Sequence, residues 1–104
     1  MDVPPDPDIP AALMALAGGH GRLLWHKSRP WVSANFAGSR DEVAFEYFGS
    51  EAVAAGDAML ASMADHEFVL PDRIVVDIEL RYFTRLKKPT DRTVAVIEML
   101  LVAS

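Results

Sequence analysis

The stretch Arg73-Ile74-Val75-Val76-Asp77-Ile78-Glu79-Leu80-Arg81-Tyr82-Phe83-Thr84-Arg85-Leu86 decides how the rest of the chain can fold. At every second position it divides into an apolar row, Ile74, Val76, Ile78, Leu80 and Tyr82, and a largely charged row, Arg73, Asp77, Glu79, Arg81 and Arg85. A period of two places successive side chains on opposite faces of a strand, so the stretch predicts a β-strand with one face on a core and one face outward.

Toward the C-terminus, residues 87–92 form a polar loop with turn residues, and residues 93–103 form a second strand that is apolar on both rows. Its inward face is set by pairing. Setting Leu86 opposite Thr93 places Tyr82 against Ile97, Leu80 against Met99 and Ile78 against Leu101, and sets Arg81 opposite Glu98 on the outer side. A slip of one residue would turn Glu98 into the core, at several kcal/mol for a lone desolvated carboxylate (about 3–5 for an unpaired buried charge).

Toward the N-terminus, Val53, Gly56, Met59, Leu60 and Met63 share one helical face, which predicts a helix over residues 51–64 capped by Ser50, with Gly56 permitting close approach to a sheet. Residues 31–37 and 43–48 alternate on either side of Gly38-Ser39-Arg40-Asp41, a hairpin signal in which Phe36 faces Val43. Residues 21–27, with Leu23-Leu24-Trp25, read equally as a short strand or an apolar connector, and Pro30 separates them from the hairpin. Asp8 as cap, Pro10 in the first turn and Gly18-Gly19 at the end define a short helix with Ile9, Leu13 and Leu16 on one face. Residues 1–8, rich in Pro and Asp, make an extended arm ahead of one α+β domain over residues 9–104.

Four strands span roughly 19 Å at about 4.8 Å each, more than one helix about 10–12 Å wide can cover. Both helices are therefore needed on the same face. The expectation is a two-layer α+β sandwich in the order α-β-β-α-β-β, with a mainly antiparallel four-stranded sheet.

Composition narrows function by exclusion. A formal charge of -5 argues against nucleic acid and anionic membranes as partners, and Cys 0 removes disulfides, thiolate metal sites and a cysteine nucleophile. Residues 1–10 lack the basic start and apolar run of a signal peptide, and no stretch reaches membrane-spanning length, so the expected location is the cytoplasm.

No catalytic residue, metal site or cofactor is assigned. His66 in Asp65-His66-Glu67, where an acid can orient and charge an imidazole, could serve a small enzyme or ligand-binding protein, but it comes after a helix end, where the dipole favours an imidazolium structurally. Glu46, Asp77, Glu79 and Glu98 form a carboxylate row that could serve a small enzyme or ligand-binding protein, but Arg81 among them points to charge balance. Arg81, Arg85, Lys87, Lys88 and Arg92 make a basic hairpin end, readable as a contact for RNA or an acidic peptide or as a solvated tip that discourages edge pairing.

The outer face is the strongest functional signal. Trp31, Phe48, Arg81, Phe83, Val96, Glu98 and Leu100 gather there, more apolar surface than a solvated face needs. They are the interface candidates of a homodimer packed sheet on sheet, acting as a protein-interaction module, unless the arm or Leu23-Leu24-Trp25 folds back over them.

Overall fold

A computed structural model describes residues 5–104; the first half of the expected arm lies outside the described residues. The elements are α1 (Asp8–Leu16), β1 (Arg22–Val32), β2 (Ala37–Phe48), α2 (Ser50–Ser62), β3 (Arg73–Leu86) and β4 (Arg92–Ala103). All strand pairs are antiparallel and the sheet order is β1-β2-β4-β3. The fold is the expected two-layer α+β sandwich, with the helices on one face of an open sheet.

The order explains why β4 is apolar on both rows, since β2 and β4 are the central strands. Their helix-side residues Val43, Phe45 and Tyr47, with Ile97, Met99 and Leu101, are buried against Ile9 and Leu13 of α1 and Val53 and Met59 of α2. Side chains directly opposite across an antiparallel pair share a face. The alternation of these core residues therefore assigns every paired strand position to the helix side or the open side.

Three local expectations are corrected. The first turn is Ser33–Phe36, closed by the Ser33 N–H donating to the Phe36 carbonyl at 2.8 Å, and Gly38 to Asp41 run inside β2. Val43 consequently faces His26, not Phe36. Gly38 is a strand residue whose role is space, for a Cβ there would lie 1.9 Å from the Leu101 carbonyl oxygen. Pro30 lies in β1, an edge strand with a side free of ladder bonds, where proline is tolerated.

The second hairpin pairs Leu86 with Arg92, one residue away from the expected register, and β3 carries irregularities between Val75 and Asp77 and between Leu80 and Tyr82. Each skipped residue reverses the facing of the residues before it. Ile78 and Leu80 point to the helix side as expected, but Ile74 and Tyr82 emerge on the open face and Phe83 on the helix side. Glu98 stays on the open face, because β3 absorbs the mismatch while β4 keeps its alternation.

The helix caps are also corrected. Asp8 and Ser50 are the first helical residues, not caps; the Asp6 carboxylate accepts the Asp8 N–H at 2.9 Å, and Gly49 precedes α2.

Tyr47 is the contact on which α2 seats. A Cβ at Gly56 or Gly21 would fall 2.7 or 2.8 Å from its ring, so two glycines make the slot that holds it. Its hydroxyl is buried without a hydrogen-bond partner among the described residues, and burial pushes the phenol from 10.0 up to about 12.

This slot makes two substitutions informative. Gly56→Ala, which in an exposed helix would stabilise by about 1 kcal/mol, is expected here to destabilise by about 1–3 kcal/mol in denaturant titration, because the added Cβ would stand 2.7 Å from the buried Tyr47 ring. Tyr47→Phe removes an unsatisfied hydroxyl and should match or exceed wild-type stability by up to about 1 kcal/mol at neutral pH. As pH rises from 10.0 toward about 12, the unfolded phenol ionises before the folded one and wild type loses stability. The Phe variant should lack that share of the alkaline loss, as paired denaturation curves at pH 9 and about pH 11.5 would show.

Candidate functional site

The open sheet face is built in rows across the strands β1, β2, β4 and β3. One row reads Trp25, Ala44, Val96, Tyr82; the next Lys27, Glu42, Glu98, Glu79; the next Arg29, Arg40, Leu100, Asp77; and the next Trp31, Gly38, Val102, Ile74. Two apolar rows thus enclose two charged ones. Beyond the Trp25 row, Arg22 stands opposite Glu46, and Phe48 and Leu86 flank Arg92 at the sheet end.

Charges in the middle of this face are neutralised in place. Arg40 donates to Glu98 at 2.9 Å, and Arg81, unpaired in the ladder, lies 3.3 Å from Glu79 and 3.7 Å from Glu98. Glu46 accepts from Arg22 at 2.8 Å and Arg92 at 2.6 Å, and Arg22 first, then Arg92, hold its carboxyl below the ordinary 4.5. That pairing stabilises the fold above this pH and is lost as pH falls through the lowered value. The Trp25 indole N–H donates to Glu42 at 3.1 Å, and the Lys27 ammonium stands 5.7 Å from the Trp25 ring centre. Lys27, Arg29 and Asp77 have no salt-bridge partner among the described residues.

Three carboxylates of the row, Glu46, Glu79 and Glu98, are thus arginine-balanced, and Asp77 stands apart from them without an ion-pair partner among the described residues. Among the described residues no group of three or more His, Asp or Glu is placed to hold a metal ion. His66 is exposed and stands edge-on to Phe68 at 4.6 Å between ring centres.

Of the sequence-derived candidates, Trp31, Phe48, Val96, Glu98 and Leu100 lie on the open face, Arg81 projects from the irregular position beside it, and Phe83 belongs to the helix side. Trp25, Lys27, Arg29 and Tyr82 are members of the face that sequence reasoning missed. A signal was present, since Trp25, Lys27, Arg29 and Trp31 succeed one another at a period of two once Pro30 is accepted in an edge strand.

The helix side holds a second cluster that the sequence did not reveal. The fully buried Asp41 carboxylate is joined by the His26 imidazole at 2.6 Å and accepts from Ser28 at 3.1 Å and Ser39 at 2.5 Å. Cross-strand pairing of Ser28 with Asp41, and alternation on either side, bring these groups together. Both serines donate to the carboxylate rather than to the imidazole, so no nucleophile–base pair is formed. The serines also line a cavity of ≈ 360 Å³ at the sheet end, where Arg73 lies 3.6 Å from Asp6. The cluster is a satisfied polar end to the core, held by Asp41.

No family model and no curated protein matches this sequence. Among solved structures, the type 4 fimbrial biogenesis protein PilO from Pseudomonas aeruginosa is similar over 97% of this chain and 69% of its own, at 16% identity and a TM-score of 0.44. No helix among the described residues is long and apolar enough to cross a membrane.

Because Asp41 satisfies three donors, Asp41→Ala should cost about 3–5 kcal/mol in denaturant titration, several times the roughly 1 kcal/mol of Ser28→Ala. Equal small losses for the two would show that water reaches the cluster.

Proposed function

We propose that this chain is a protein-interaction and assembly module that works as a homodimer through its open sheet face. The observation that carries this reading is the exposure of Trp25 (40%) and Tyr82 (56%) at the two ends of a row whose centre, Ala44 and Val96, is already shielded from solvent. Exposed aromatics around a small apolar centre are the composition of an interface core, and Trp and Tyr are favoured there because they bring much contact area for few rotatable bonds.

The face has the size to act in this way. Four strands about 4.8 Å apart, over about nine residues of 3.3 Å, give about 570 Å² per copy and about 1,100 Å² in a dimer. That lies at the small end of specific interfaces and implies a concentration-dependent dimer rather than an obligate one. The in-place arginine pairs supply the polar part of the surface, and their chemistry favours docking over catalysis: Glu46, Glu79 and Glu98 are each engaged by arginine, and Glu42 accepts the Trp25 N–H.

Tyr82→Glu puts a charge where the apolar row ends, without touching the helix-side core. It should raise the dimer dissociation constant at least tenfold in sedimentation velocity while leaving thermal unfolding of the monomer near wild type. A wild-type chain that stays monomeric at several hundred micromolar would overturn the proposal.

A further inference from the structure

Granting that reading, the open face also carries information about how its second copy must lie. The charges are graded across the sheet. The β1 edge presents Arg22, which is paired with Glu46, and the unpaired Lys27 and Arg29, with no acid, while the β3 edge presents Asp77, which is unpaired, and Glu79, which Arg81 meets at 3.3 Å. Arg29 and Asp77 occupy the two ends of a single row, both exposed and both without an ion-pair partner among the described residues. Lys27 and Glu79 end the neighbouring row.

We infer that the homodimer is related by a two-fold axis running along the strands, which lays β1 of one copy over β3 of the other and sets Arg29 against the second copy's Asp77 and Lys27 against its Glu79. A rotation of this kind keeps each row in place and exchanges its ends. It therefore brings Trp25 over the other copy's Tyr82 and Ala44 over its Val96, so the apolar rows meet as well. Each contact occurs twice, as an isologous interface requires. Sheets packed face to face hold their strands within about 30° of one another, which this axis satisfies.

The other in-plane axis, perpendicular to the strands, lays β1 on β1 and β3 on β3. It would set Arg29 against Lys27 or against its own copy, and Asp77 against Glu79 or itself. Like charges facing one another suppress an arrangement more reliably than opposite charges stabilise one. The pairs named here lie at the rim, where an exposed ion pair contributes only about 0–1 kcal/mol, so they select orientation and the aromatic rows supply affinity. Glu42 meets Glu98 near the centre in this arrangement, but the first accepts the Trp25 N–H and the second is shared by Arg40 and Arg81.

Arg29→Glu and Asp77→Arg are the test, because neither residue holds a contact that folding needs. Each variant alone is expected to raise the dissociation constant at least tenfold in sedimentation velocity at low salt. Mixed in equal amounts they should form a heterodimer of near wild-type affinity. In that heterodimer the introduced glutamate of one chain meets the introduced arginine of the other, and the native Asp77 of the first meets the native Arg29 of the second. Asp77→Arg forming a tighter dimer than wild type would establish the perpendicular axis and overturn the inference, as would single variants without effect. In either of those cases a dimer still weakened by Tyr82→Glu leaves the open face as the interface, whereas a monomeric wild type removes both readings.

Discussion

Burying a lone carboxylate in an apolar layer costs several kcal/mol, about 3–5 when a buried charge loses its partner, and in this sheet that constraint falls on Glu98. β4 is central, bonded on both sides, and its residues alternate Ile97, Glu98, Met99 between two environments. With Ile97, Met99 and Leu101 beneath the helices, Glu98 must stand on the open face, where Arg40 and Arg81 meet it. β2 keeps in step, with Glu42 on the open face opposite Glu98 and Val43 and Asp41 on the other side. Asp41 is tolerated beneath the helices only because three donors converge on it.

β3 is where the constraint is relieved. An edge strand has one free side and can omit a ladder position, as it does at Val76 and Arg81. These irregularities let β3 keep Ile78 and Leu80 on the helix side while sending Tyr82 and Ile74 outward. They also break the regular spacing of the exposed edge, which discourages strand addition there. One local device thus protects the edge and places an aromatic residue on the open face.

The layer architecture and both helix faces were legible in the sequence, because Val53, Met59 and Met63, and Ile9 and Leu13, recur at a period the core enforces. The facing of Glu98 agrees with expectation although the register it was read from, Leu86 opposite Thr93, is one residue off, because the cost of a buried charge holds it outward in either register. The facing of Tyr82 and Phe83 was not, because alternation carries no mark of a skipped residue. Gly38 and Pro30 misled for a different reason: both are turn residues by habit, yet one answers a close backbone approach and the other an edge position. The Asp41 cluster was hidden for the same reason, being assembled across a pairing that the misplaced turn concealed.

In the proposed homodimer the open face is covered by a second copy. Trp25 and Trp31 are the only tryptophans of the chain and both stand on that face, so tryptophan fluorescence reports on it alone. Dilution from hundreds of micromolar to below one micromolar should shift the emission to longer wavelength along the same curve on which the sedimentation coefficient falls. An emission maximum that does not move with concentration, while the protein stays folded, would contradict the account.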